Sequence, residues 1–339
     1  MKYLLILCLT FSMLACKHKK NQLMEEQYLI HQNYDLRIAF GSCSNQDRKQ
    51  ILWDEILNEN PDAWIWLGDN IYGDSEDMNI LRQKYNKQKS NEEYQKLIAT
   101  AAVHGVWDDH DYGVNDGGKH YPAKDASQKE LLDFFDVPDD DPRRKQSGTY
   151  YSTDIKKQGI KVKLICLDTR YFRDDPIRNG NNYDPNTEGT ILGKTQWEWL
   201  ERECDNSEAD VNIIATSIQA IPEDHRFEKW KNFPNERARL FNLITDSKLK
   251  NPILISGDRH IGEISKIDWK KDEIYEITSS SLTHGWSKKR EELNQHRIGK
   301  IAYLENYGIL EFRKKGKELQ INARLMAQNS QILNELKLN

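Results

Sequence analysis

An α/β layered fold is the class this sequence predicts, and three observations predict it. Short apolar runs rich in β-branched or aromatic residues alternate with helix-like segments from about residue 36 to residue 263. Most of those runs end in residues able to bind a metal or a phosphate, and the carboxyl ends of strands are where α/β sheets hold ligands. Further on, helical periodicity vanishes and hairpins take over, so a β-rich segment closes the chain.

Taken in order, the runs are "LRIAFGSCSN", "DAWIWLGDNIYGD", "AAVHGVWDDHD", "VKLICLDTRYFRD", "VNIIATSIQ" and "NPILISGDRHIGE". Between the first two, "DRKQILWDEILNENP" sets Leu52 and Ile56 four apart and stops before Pro61, as a helix does. "TQWEWLEREC" opens with Thr195 and Glu198 in the spacing of a capping box and puts Trp197, Leu200 and Cys204 on one stripe. "PNERARLFNLITD" starts at Pro234 and aligns Leu240, Leu243 and Ile244. The C-terminal stretches "EISKIDWKKDEIYEITSSS" and "NYGILEFRKKGKELQINARLM" read as hairpins, the second turning through "KKGK". Residues 74–100 and 171–193 read as loops with no code of their own.

With 339 residues and a formal charge of −5, the chain is large enough for a substantial core, and its slight acidity argues against a nucleic-acid surface. The start does not belong to that fold. Lys2 and the apolar stretch Tyr3 to Leu14, too short to span a bilayer, lead to "MLAC", which resembles a bacterial lipoprotein signal. Residues 1–15 are therefore expected to be a signal peptide, Cys16 the lipidated membrane anchor, 16–34 a polar tether and 35–339 the main domain, in an exported protein of the cell envelope. Cys43, Cys166 and Cys204 are odd in number and widely spaced, which implies no disulfide framework. Cys166 lies in an apolar run and Cys204 on a helix face, whereas Cys43 stands at a strand end.

Cys43 has company. Asp69 follows the second run, with Tyr72 three residues on; Asp109 and His110 follow the third; Asp258 and His260 follow a late run. Glycine next to such positions permits a tight turn at a strand end. Thiolate, carboxylate, phenolate and imidazole together suit a transition metal beside a harder, oxygen-seeking cation. The stretch "WDDHDYGVND" crowds Asp108, Asp109, Asp111 and Asp116 around His110, a density of negative charge that a bound cation would offset. His104 and His284 have no comparable context and read as structural or solvent-exposed.

The stretches "FGSCSNQ", "WLGDNIYGD", "WDDHDYGVNDGG", "LDTRYFRD", "TSIQ" and "SGDRHIGE" resemble the alkaline phosphatase D (PhoD-like) family of the calcineurin-like metallophosphoesterase superfamily. That resemblance implies an α-β-β-α sandwich of two mixed sheets. It also implies iron(III) bound by Cys43, Asp69 and Tyr72, with Asp69 bridging to a cation such as calcium and Asp109, Asp258 and His260 completing the shell. The departures from the wider superfamily, Gly-Ser-Cys and Gly-Asp-Arg-His, point away from its usual zinc or manganese.

The implied activity is hydrolysis of phosphate mono- or diesters by metal-activated water. Beside Asp109, His110 would protonate the leaving oxygen or stabilise the phosphoryl oxygens; Asp108 and Asp111 would orient His110, support the metal ligands or contact the second cation; and Arg170 would fork onto phosphate oxygens. A catalytically silent surface-binding lipoprotein and a phospholipase-type diesterase are the alternatives on the same scaffold.

Overall fold

The computed structural model describes residues 34–286 and 292–338. The expected signal peptide, Cys16 and the tether up to residue 33 lie outside the described residues. All six apolar runs form strands. The first half contains β1 (Leu36–Gly41), α1 (Trp53–Asn58), β2 (Ala63–Leu67), α2 (Met78–Lys89), α3 (Glu92–Ile98), β3 (Ala102–Val106), the single turn α4 (Asp109–Tyr112) and α5 (Lys124–Phe134). There follow β4 (Tyr151–Lys157), β5 (Ile160–Cys166), the small hairpin β6 (Ile177–Asn179) and β7 (Asn182–Asp184), α6 (Gly193–Asp205), β8 (Val211–Ala215), α7 (Pro234–Asp246) and β9 (Pro252–Ser256). The closing strands are β10 (Gly262–Trp269), β11 (Asp272–Ser279), β12 (Arg297–Ala302), β13 (Tyr307–Lys315), β14 (Glu318–Ala327) and β15 (Gln331–Leu338).

Two mixed sheets result, in the orders β15-β14-β13-β1-β2-β3 and β12-β10-β11-β9-β8-β5-β4. Within the first, β1, β2 and β3 run parallel; within the second, β5, β8, β9 and β11 do. Strand alternation explains how the layers stack. Ile38, Phe40, Ile65 and Leu67 face Leu164, Ile213 and Ile255 in the core between the sheets. The intervening Trp64 and Trp66 point the other way, under Trp53, Tyr94 and Leu97 of the helical layer. On the far side Ile165 and Ile214 meet Trp197, Leu200, Cys204 and Phe241 from α6 and α7. The α-β-β-α sandwich implied by the resemblance is the observed architecture. Cys43, Cys166 and Cys204 are all buried and unbridged.

Three local expectations are corrected. The helix before Pro61 spans only Trp53–Asn58. Residues 74–100, read as a loop, carry α2 and α3, whose Leu81, Tyr85, Tyr94 and Leu97 bury against the tryptophans of β2. The Thr195–Glu198 capping box does not form, because α6 already begins at Gly193. Its start is capped from outside: the Glu236 carboxylate on α7 accepts from Ile191 N at 2.8 Å and from Trp197 Nε1 at 2.8 Å, a negative charge at the positive end of the helix.

Trp66 is the clearest test of the outer layer. It is fully buried, edge-on to Trp53 and Trp64, and its Nε1 donates to Tyr94 Oη at 2.9 Å. Trp66→Ala is expected to cost about 3–5 kcal/mol of unfolding free energy, read from the urea midpoint. A loss below about 1 kcal/mol would show that the layer collapses to fill the space.

Candidate metal centre

Parallel strands deliver their carboxyl ends to one edge of the sandwich, and the site is built there. β1 leads to Cys43, β2 to Asp69, β3 to Asp109, and β9 to Asp258 and His260. Cys43 Sγ lies 3.3 Å from Asp69 Oδ2 and 3.3 Å from Ser280 Oγ. Tyr72 Oη lies 3.1 Å from His260 Nε2. Two groups of ligand atoms lie close enough to hold an ion, each set within 4.8 Å of one another: Cys43 with Asp69 and His260, and Asp69 with Asp109 and His110. Asp69 belongs to both. Asp258 lines the same cleft, a cavity of about 380 Å³.

The backbone is bent to make this possible. Cys43, Asp69, Asp258 and His260 have φ of 60°, 50°, 67° and 55°, the left-handed region that costs a side-chain-bearing residue about 1–2 kcal/mol. Gly68 has φ +93° and passes so close to Asp108 that a Cβ there would lie 2.5 Å from the aspartate Cβ. Gly257 serves differently, since a Cβ would meet Ser42 Oγ at 2.5 Å, so this glycine lets two strand ends touch.

The acidic stretch "WDDHDYGVND" divides its labour. Both oxygens of Asp109 are fixed by backbone, Oδ1 by His110 N at 2.9 Å and Oδ2 by Asp116 N at 2.8 Å. Asp111 points away from the cleft and accepts from Asn70 N at 3.1 Å, Ile71 N at 3.2 Å and Tyr85 Oη at 3.2 Å, which pins the loop carrying Asp69. Asp108 accepts from Arg170 Nε at 2.6 Å and Ser217 Oγ at 2.6 Å. Of the roles expected for these two, orienting His110 falls instead to Asp74, whose Oδ1 lies 2.6 Å from His110 Nδ1, while Asp108 and Asp111 hold the surrounding loops.

Arg170 also departs from expectation. It is fully buried, and its guanidinium is consumed by Asp108 and by Glu228 at 2.6 Å, so it braces the site from behind instead of forking onto phosphate. Arg173 joins the same lattice, 2.8 Å from Glu228. The arginines that line the cleft include Arg178 and Arg226.

One site residue escaped the sequence reading. His284 Nε2 lies 3.1 Å from Tyr72 Oη, and its Nδ1 is 2.9 Å from Thr283 Oγ1. It arrives because β11 pairs parallel to β9, and the segment that follows hydrogen-bonds to the Ser42–Cys43 strand end through Leu282 N and Thr283 N. Read as one arm of a hairpin, β11 concealed this. The polar run "TSSSLTH" after a strand was the available signal. His104, by contrast, sits on β3 with Arg143 near it, away from the cleft.

A metal pair fits these residues. Without a cation the site is electrostatically unfavourable: burial, then Cys43 and Asp109, drive the Asp69 carboxyl well above its ordinary range. Burial and the charges of Asp108 and Asp109 do the same to Asp258. Burial pushes the Cys43 thiol up to about 11 and raises the Tyr72 phenol. Burial, His284 and His110 hold His260 down to about 3, which keeps an imidazole lone pair available. Asp69 Oδ1 is buried with no hydrogen-bond partner. A cation reverses this, favouring the deprotonated acid, thiol and phenol together.

Two facing mixed sheets with ligand-type side chains at their parallel strand ends define the fold of the metallophosphoesterases. A zebrafish (Danio rerio) dimetal phosphatase aligns with 90% of this chain and 99% of its own at TM-score 0.53 and 11% identity. A structure of PhoD aligns with 90% of this chain and 68% of its own at TM-score 0.70 and 20% identity. The profile of the PhoD-like phosphatases matches residues 38–327, and the chain belongs to that family. Alkaline phosphatase D of Bacillus subtilis (strain 168) is 31% identical over 147 residues, a match that covers 38% of this chain and 25% of that protein.

Chelator-stripped protein given ferric and divalent ions is expected to release protons and to rise in thermal midpoint, because binding is linked to ionisation and to folding. Asp69→Asn is expected to lose most of that rise. A midpoint indifferent to metal would mean that protons alone neutralise the acids.

Proposed function

We propose that this chain is an extracytoplasmic, metal-dependent phosphoric ester hydrolase acting on phosphate mono- or diesters. The observation that carries the reading is Asp69, a buried carboxylate whose ligand atoms lie close to those of Cys43 and His260 and also to those of Asp109, in a chain of the PhoD-like phosphatase family. Iron is the ion proposed for Cys43, Asp69 and Tyr72, since thiolate and phenolate suit a transition metal, and calcium is proposed for the oxygen-rich side with Asp69 and Asp109. Asp258 and His260 are proposed to complete the shell. When bound, the pair supplies Lewis acidity and a nucleophile available near neutral pH.

The chain's own residues do the rest. With Nδ1 committed to Asp74, His110 keeps Nε2 to hold a proton, and its ring lies 4.3 Å from that of Tyr72, which limits its tilt. Burial opposes its charge, but the Asp74 hydrogen bond and the nearby Asp109 and Asp108 charges win, raising its pKa to about 9. The Asp74 hydrogen bond favours the protonated ring, and His110 lines the cleft, where it is placed to protonate a departing alkoxide. Asp108, Arg170, Glu228 and Arg173 hold that wall rigid. The "MLAC" start supports export and anchoring through Cys16.

The metal-loaded protein is expected to hydrolyse 4-nitrophenyl phosphate or bis(4-nitrophenyl) phosphate and to show a visible phenolate–iron absorption band. His110→Asn is expected to lower kcat by about 10²–10⁴-fold with metal content retained. No turnover at full metal occupancy would leave a silent binding protein instead. Asp74→Asn removes the main support for the His110 charge, so His110 loses its proton at lower pH. The alkaline limb of the kcat/KM profile is expected to move towards neutrality, and an unmoved limb would take His110 out of the proton transfer.

A further inference from the structure

One wall of the cleft plays no part in the chemistry above. Phe227 and Trp286 line it beside Asp258 and His260. Both rings are half-buried, 5.5 Å apart at 53°, and neither belongs to a packed hydrophobic layer of the sandwich. They form an apolar surface in an otherwise polar cleft.

Both rings are held in place. Trp286 Nε1 donates to the Arg259 carbonyl at 2.8 Å. The Arg259 guanidinium, buried and tied to Glu292 at 2.6 Å, lies 4.2 Å from the Phe227 ring centre. Arg259 stands between Asp258 and His260, and Phe227 directly precedes Glu228, the partner of Arg170 and Arg173. Arg259 therefore links both rings of the wall to the segment that carries Asp258 and His260, and Phe227 adjoins the arginine brace through Glu228.

Charge adds a second requirement. Arg178 is paired with Asp116, and Arg259 with Glu292. Arg226 is exposed, lines the cleft and lies 5.0 Å from the Phe227 ring, and no ion pair joins it to a carboxylate among the described residues. A guanidinium that pairs with no carboxylate among the described residues, beside an aromatic surface, suits a planar group that bears an anion.

We propose that Arg226, Phe227 and Trp286 form a subsite for the organic arm of the phosphate ester, selecting a planar, apolar arm that carries a second negative charge. The proposal rests on the phosphoesterase reading above. Phe227 and Trp286 contact the faces and edges of the arm, and Arg226 takes its carboxylate or phosphate.

The test uses three phosphodiesters with one 4-nitrophenyl leaving group and a methyl, phenyl or 3-carboxyphenyl second arm. Comparing variants with wild type cancels intrinsic reactivity. Phe227→Leu is expected to lower the phenyl-over-methyl ratio of kcat/KM by about tenfold. Arg226→Gln is expected to lower the carboxyphenyl-over-phenyl ratio by about tenfold. Thermal midpoints confirm that both variants fold. Ratios unchanged in both folded variants, with the wild type active, overturn the subsite and leave the phosphoesterase reading standing. A metal-loaded wild type that cleaves none of these diesters and no monoester overturns that reading itself.

Discussion

Five aspartates, Asp69, Asp108, Asp109, Asp111 and Asp258, converge at one edge of the sandwich, and their mutual repulsion is the constraint on which the rest depends. Such a cluster stands only if each charge finds a proton, a hydrogen-bond donor, an arginine or a metal. The fold supplies hydrogen-bond donors and an arginine to some of them. Backbone N–H groups take Asp111 and Asp109, and Arg170 takes Asp108. Asp69 and Asp258 are driven well above the ordinary carboxyl range by burial and by their neighbours' charges. A carboxylate buried like Asp69, with one oxygen unpartnered, has no structural purpose in an apolar core.

Rigidity follows from the same requirement. Arg170 and Arg173 share Glu228, and Asp108 closes the lattice, so each buried arginine is paired and no charge in it stands alone. Such a lattice adds little net stability, because desolvation consumes most of the Coulombic gain. Its effect is positional: it ties the loop after β8 to the loop after β3. The left-handed residues Cys43, Asp69, Asp258 and His260 survive for a related reason. Close-packed sheets over-determine the conformation at each strand end, and the strain is held by contacts elsewhere.

Legibility varied with how local each signal was. Asp69, Asp109 and His260 follow strands whose composition and length announce them, and the left-handed turns at Asp69 and His260 occur near glycines. The helices α2 and α3 were missed because their apolar residues are few and widely spaced; it is the tryptophan face of β2 that gives Leu81, Tyr85, Tyr94 and Leu97 something to bury against. Arg170 was legible as a charged residue at a strand end, but not as a buried one. Its partners Asp108 and Glu228 are 62 and 58 residues away in opposite directions along the chain.

The sequence by itself determined the alternation of strands and helices, the placement of ligand-type residues at strand ends, and thereby the family. Those are short-range properties, written in periodicity and in the residues next to a turn. Tertiary structure alone decided that β11 runs parallel to β9, which brings His284 to Tyr72, and that Asp74, not Asp108 or Asp111, holds His110. It also decided which arginine is sealed behind the site and which is left facing the cleft. Strand direction and side-chain burial are set by contacts between segments far apart in the chain, and no local pattern encodes them.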